Sequence, residues 1–146
     1  MNDLSLELRI AIAAGFVFSL VGFVILRQIY SRIPKRLNKK KYQEKWSTLQ
    51  SLCRQKESWP QALTGADILL NQALKHRQFK GKTMGERMVS AQRKFSDNDR
   101  VWFAHNLLKK LIADPDKTLK ESEVKEALVA FRQALRDIGA LQDGKQ

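Results

Sequence analysis

Residues 10–26 read IAIAAGFVFSLVGFVIL, 17 consecutive residues without a charge. At about 1.5 Å of rise per residue they make roughly 25 Å of helix, slightly less than the hydrocarbon core of a bilayer at about 30 Å. Arg9 and Arg27 stand at the two ends, where long cationic side chains reach back to the headgroups, and Ile29 and Tyr30 suit the interface. A cleaved signal peptide would want a basic start and small residues at its end. This chain has Asp3 and Glu7 before the stretch and Arg27-Gln28-Ile29-Tyr30 after it. A domain this small rarely encloses a helix that is apolar all round, and a helix lying in the interface needs a charged face that is missing here. The stretch therefore predicts a single membrane-spanning helix, with the lipid bilayer as the chain's first partner.

The flanks predict its direction. Between Arg27 and Lys45 stand eight basic residues against the single acid Glu44, whereas only Arg9 precedes the span. Lys and Arg resist translocation, which predicts a cell-membrane protein with its N-terminus outside and its C-terminal domain in the cytoplasm. Arg27, Arg32, Lys35, Arg36, Lys39, Lys40 and Lys41 are expected to lie against anionic headgroups, each contributing about 1 kcal/mol. Pro34 is expected to part the membrane helix from the next one. Ala11, Gly15 and Ser19 form a line of small residues that would let two such helices pack closely in a homodimer. The expected division is a short outer segment (1–9), the span (10–26), a basic juxtamembrane segment (27–41), a helical domain (42–140) and a tail (141–146).

The formal charge of the chain is +12, and residues 46–146 keep 18 basic and 12 acidic residues of it. Such a balance fits an anionic membrane surface, an acidic protein partner or RNA, and the neighbouring span favours the membrane. Cys53 is the only cysteine, so an intrachain disulfide and a cysteine-based zinc site are both excluded.

Beyond the span, helical spacing recurs five times and strand-like alternation is absent. Tyr42, Trp46, Leu49 and Cys53 mark a first helix, with Cys53 as apolar filler. Ser58-Trp59-Pro60-Gln61 reads as a capping box with proline in the first turn, opening a helix with Trp59, Leu63, Ala66, Leu70, Ala73 and Leu74 on one face. After Gly81 and Lys82, a second box at Thr83 and Glu86 precedes Met84, Met88, Ala91 and Phe95. Ser96-Asp97-Asn98-Asp99 offers N-caps for a helix bearing Val101, Trp102, Leu108, Leu111 and Ile112, which Asp114-Pro115-Asp116 ends. A third box at Thr118 and Glu121 leads into Val124, Leu128, Phe131, Leu135 and Ile138. Gly139 suits the left-handed position after that helix, with Leu141 as its apolar contact. Short connections between amphipathic helices predict antiparallel neighbours. The fold class is thus all-α, a transmembrane helix followed by an antiparallel bundle of about five helices.

The chain carries no phosphate-binding glycine loop, no HExxH and no serine-nucleophile elbow, and no cofactor or metal site is expected. His105 lies within the apolar stripe of its helix, where the ordinary role is a core-edge ring satisfied by a neighbour such as Asp67 or Arg87. His76 is expected in a solvated loop.

The stretch GKTMGERMVSAQRKFSDNDRVWFAHNLLKKLIADPD, with WPQALTGADILLNQALK and ALVAFRQALRDIGAL, resembles a family of small, mostly uncharacterised bacterial proteins whose bundle is HEPN-like. The resemblance covers most of residues 59–141 and implies a four- or five-helix bundle that often pairs as a dimer. Active HEPN domains cut RNA with an arginine and a histidine spaced R-x4-6-H. Where relatives read AHKLRNRIAHEPD, this chain reads AHNLLKKLIADPD, so Leu108 stands for the arginine and Ala113 for the histidine. Leucine and alanine neither move a proton nor hold a phosphate, and Lys109 and Lys110 supply charge alone. The implied function is a membrane-tethered, non-catalytic binding or scaffold module that meets another protein, or RNA without cutting it. Lys75, Arg77, Lys80, Lys82, Arg93 and Lys94 are the expected acidic-partner surface. The alternative is a metal-independent ribonuclease using Arg100 and His105, which also spell R-x4-H, although their five-residue step turns about 140° around a helix.

Overall fold

The computed structural model describes residues 5–30 and 36–142 and divides the chain into two compact units, residues 1–34 and 35–146. Arg32, Pro34 and Lys35, and with them the predicted break at the proline, lie outside the described residues. Each unit is helical, and no strand occurs among the described residues.

The first unit is helix α1, Leu6–Tyr30. It outruns the predicted span at both ends. Leu8–Tyr30 is long and apolar enough, by length and composition, to cross a bilayer, and its apolar window is not buried. At 1.5 Å per residue its 23 residues are about 34 Å of helix, with Arg9 and Arg27 near the two ends. Side chains such as Phe16, Phe18 and Phe23 stand outward, the opposite of a core helix.

The second unit holds α2 (Lys39–Leu52), α3 (Trp59–His76), α4 (Met84–Ala91), α5 (Asn98–Ala113) and α6 (Glu121–Asp137), with short 3-10 turns at Lys56–Ser58 and Gln92–Lys94. The number of helices agrees with the spacing, but their starts do not all agree. Asn38 caps α2 by accepting from the Lys41 N–H at 3.2 Å, so Lys39, Lys40 and Lys41 form its first turn. The box expected at Ser58 does not form, because the 3-10 turn leaves Ser58 in a helical conformation with no side-chain cap. Thr83 does cap α4, accepting from the Glu86 N–H, while the Glu86 carboxylate turns back to the Lys82 N–H at 2.7 Å. The box expected at Thr118 does not form: Lys120 holds the N-cap position of α6 with no side-chain cap, and only the return bond is present, Glu123 accepting the Lys120 N–H at 3.4 Å.

Helix α3 is central and touches α2, α4, α5 and α6, and the most extensive pairing is α5 with α6. Leu63, Leu70, Leu74, Met88, Phe131, Leu135 and Ile138 are the largest side chains wholly removed from solvent. Ile112, expected on the core face of α5, is 68% exposed, and Leu107 is buried instead. Gly65 clears room for the Leu49 side chain between α2 and α3.

Two helices close in the same way. After α6 the Ala140 N–H reaches the Leu135 carbonyl (2.8 Å) and the Gly139 N–H reaches Arg136 (2.7 Å). After α3 the Phe79 N–H reaches Leu74 (3.1 Å) and the Gln78 N–H reaches Lys75 (3.0 Å). Both sets are the six-to-one and five-to-two bonds of a left-handed helix stop, at Gly139 (φ 76°) and Gln78 (φ 64°). Leu141, 3% exposed, belongs to the core and not to the tail in which the sequence placed it; residues 143–146 lie outside the described residues. A Cβ at Gly139 has open space, so its cost is conformational. Gly139→Ala is expected to destabilise the bundle by about 1 kcal/mol and Gln78→Gly to stabilise it by up to about as much, read from urea midpoints.

Candidate functional site

Three features of the second unit bring polar or aromatic chemistry together. The first is a histidine–carboxylate contact inside the bundle. His105 on α5 places Nδ1 2.7 Å from Asp67 Oδ1 on α3, with each side chain 13% exposed. One turn of α5 earlier, the Trp102 ring meets His105 edge-on at 6.1 Å. Of the two partners expected for His105, Asp67 is the one engaged. Arg87 instead donates to Asn71 Oδ1 (2.8 Å) and to the Lys82 carbonyl (3.1 Å). Asp67 and Asn71 are one turn apart, so α3 carries a short polar ridge on its packed side, tied to α5 by one residue and to α4 by the other.

Arg100 is held elsewhere. Its Nε lies 3.9 Å from Asp97 and 3.8 Å from Glu126, half exposed, at the α5–α6 seam. The structure therefore gives the two residues of the R-x4-H reading different partners on different neighbouring helices. At the positions where the resemblance aligns a catalytic pair, Leu108 is buried in the core and Ala113 is exposed in the last turn of α5. Asp67→Ala is expected to cost about 2 kcal/mol, because a nearly buried imidazole loses its charged hydrogen-bond partner. Arg100→Ala should stay within about 0.5 kcal/mol, as exposed ion pairs usually do. Urea unfolding of both variants, with His105→Ala to complete the cycle, checks the contrast.

The second feature is a cleft of about 390 Å³ between the end of α2, the start of α3 and α6, in which Trp46, Trp59, Leu49 and Leu128 form the apolar lining and Glu121, Lys125 and Arg132 add charge of both signs. The Trp59 indole N–H donates to the Cys53 carbonyl at 3.1 Å and ties the two helix ends together. Lys56 sits over the Trp59 ring at 5.9 Å. Trp46 Nε1 is buried without an acceptor. Cys53, half-buried as expected of filler, donates its thiol to the Leu49 carbonyl, and burial raises its pKa, which keeps it a protonated and poorly nucleophilic thiol. The spacing of Trp46 and Trp59 was legible in the sequence. Their meeting with α6 was not, because no local pattern specifies which helix covers which.

The third feature is cationic. A pocket of about 380 Å³ between α2 and α3 is lined by Arg36, Asn38, Lys41, Tyr42, Lys45, Gln72 and His76. It collects Arg36 and Lys41, expected at the membrane surface, with Asn38, Tyr42, Lys45, Gln72 and His76, which were not expected to share a site. The expected loop residue His76 is in fact the last residue of α3, and exposed. Lys39 and Lys40 are exposed in the first turn of α2, and Arg27 is in the last turn of α1.

The expected acidic-partner residues are distributed over one end of α3 and the segments beyond it. Lys75 is in the last turn of α3, Arg77 caps that helix, Lys80 and Lys82 follow, and Arg93 and Lys94 lie in the second 3-10 turn. All are exposed except Arg77, which is half-buried with Nε lacking a partner. A Lys80 N–H to Ser90 Oγ bond of 3.2 Å links the first group to the helix that precedes the second. Among the described residues no group of His, Cys, Asp and Glu has the arrangement of a metal site. Compared with known protein families, curated proteins and solved structures, the chain matches none of them.

Proposed function

We propose that this protein is a membrane-tethered helical binding module, with α1 as its anchor and the α2–α6 bundle held at the cytoplasmic face. The observation that carries the reading is α1 itself: 23 residues of apolar helix with none of it buried, in a chain whose other unit already has a complete core. Burying that outward apolar surface in lipid is strongly favourable, and the basic residues C-terminal to it favour the cytoplasmic side. The tryptophan-bearing cleft has the make-up of a protein-binding face, aromatic anchors with two cations and the Glu121 carboxylate at hand. Its partner would offer an apolar side chain beside an acidic one. The Lys75–Lys94 region would add a second, weaker attraction for acid, and two copies would pair through Ala11, Gly15 and Ser19.

The bundle is best read as a HEPN-like relative without the cleavage chemistry, which the buried Leu108 and the Arg100 carboxylate contacts support. The ribonuclease alternative draws on one observation, the Asp67–His105 pair, since a carboxylate behind an imidazole is how a general base is commonly oriented. Full-length protein in phosphatidylcholine nanodiscs, incubated with RNA beside a His105→Ala control, decides between them. RNA left intact by a folded sample is the expected result. Cut products that vanish in the control would overturn the binding reading and make the protein a membrane-bound ribonuclease.

A further inference from the structure

The pocket between α2 and α3 offers donors and almost nothing that accepts. Four of its seven lining residues are Arg36, Lys41, Lys45 and His76, and none is acidic. The two amide side chains in it have already committed their oxygens. Asn38 Oδ1 accepts the Lys41 N–H, and Gln72 Oε1 accepts the Lys45 ammonium at 3.0 Å. Asn38 and Gln72 also present their NH2 groups as donors. Burial raises the pKa of Tyr42, so its phenol is a neutral hydroxyl that can donate as well.

The helix beneath the pocket is charged against its own dipole. Lys39, Lys40 and Lys41 occupy the first turn of α2, which contains no acidic residue. A helix N-terminus carries partial positive charge and its first N–H groups lack intrahelical acceptors, so three lysines there are unfavourable unless an anion joins them. Two neighbouring hollows, one sharing Lys45 and Gln72 and the other Gln72 and His76, continue the surface along α3. An occupant that satisfies this set must be small, multiply charged and rich in acceptor oxygens.

We propose that Arg36, Lys41, Lys45 and His76, with the amides of Asn38 and Gln72, form a binding site for a phosphate monoester, supplied by the headgroup of an anionic lipid. The lipid source rests on the tether reading above. Arg36 follows Tyr30, the last residue of α1, by six residues, and six residues of extended chain span at most about 21 Å. The site thus begins close in sequence to the end of the anchor. A diffuse basic segment attracts any anionic surface; this pocket would select a terminal phosphate, whose oxygens can meet several fixed donors at once.

The test uses full-length protein in nanodiscs of phosphatidylcholine alone or with phosphatidic acid, and follows the side-chain amide of Gln72 and the ring of His76 by NMR. Both signals are expected to move with phosphatidic acid. In Lys41→Gln/Lys45→Gln the response should weaken about tenfold or more, as two charge-assisted contacts are lost, while Lys109→Gln/Lys110→Gln, at two exposed lysines of α5, should respond like the parent. Circular dichroism establishes that each variant is folded. Inorganic phosphate added to phosphatidylcholine discs separates the sources: signals that move with it too place recognition in the phosphate group itself, and signals that ignore it place recognition in the lipid. Equal weakening in both double variants would overturn the site in favour of general surface charge, as would signals moved only by an RNA oligonucleotide or by nothing. Protein that stays out of the discs yet responds to inorganic phosphate would leave the pocket standing and remove the tether.

Discussion

Phe131→Ala is expected to cost the bundle about 3–5 kcal/mol, a large part of the roughly 5–15 kcal/mol that holds a typical domain together. Phe131 is the largest side chain wholly removed from solvent, and it stands on α6, which packs against both α3 and α5. Removing its ring forfeits the transfer of an aromatic side chain from water and leaves a hole in the core that rigid helices fill only in part. Urea unfolding of the full-length protein in detergent, followed by far-ultraviolet circular dichroism, should give a much lower midpoint, with α1 retaining its helix in the micelle. Phe131→Leu should recover most of the loss, because it restores much of the volume. A midpoint shift worth less than about 1 kcal/mol would mean that α6 is not seated on the core as described.

Two arginines in the middle of α1, Phe16→Arg with Leu20→Arg, are expected to release the protein from membranes. The positions lie four residues apart on a helix whose side chains are outward, and both are exposed. Each arginine near the centre of a span opposes insertion by about 2.5–3.5 kcal/mol relative to neutrality, and each replaced apolar side chain also gives up its own favourable transfer. The measurement is resistance to alkaline carbonate extraction, parent beside variant. Attachment that survives both arginines would show that α1 does not hold the protein in lipid. A salt wash would then tell whether the basic residues Arg27, Arg36 and Lys39–Lys41 hold it by charge alone.

These two expectations draw on different kinds of information. The second was open to anyone reading residues 10–26, because whether a helix is long and apolar enough to cross a bilayer depends on its own length and composition alone. The same holds for the buried face of α3. Leu63, Ala66, Leu70, Ala73 and Leu74 recur with the helical period, and all five are wholly buried. Period is a property of one segment, and it survives any arrangement of the others. Local cap chemistry transferred less well. Thr83 caps its helix, whereas Ser58 lies at the end of a 3-10 turn and Thr118 is displaced by Lys120. A cap is worth about 1 kcal/mol, and burying Leu119 just before α6 is worth more, so packing decides where that helix starts.

Pairwise meetings are a different matter. Helical spacing put His105 near the core and named Asp67 among its possible partners, but only the contact of α3 with α5 brings them to 2.7 Å. Lys41 and Lys45 are one turn apart on α2, and Gln72 and His76 are one turn apart on α3, both visible in the chain. That the two pairs line one pocket depends on α2 lying along α3, with Gly65 leaving room for Leu49 between them. Ile112 shows the limit from the other side: its spacing fits an apolar stripe, yet it is exposed because Val101, Ala104, Leu108 and Leu111 already fill the face of α5 that the bundle buries. By itself, then, the sequence determined the apolar stretch, the charge beside it, the helices and most of each buried face, with Ile112 and Leu107 of α5 as the exceptions. Which polar faces came together was left to the tertiary structure, because hydrophobic burial is non-directional and the helices settle only where the whole core closes at once.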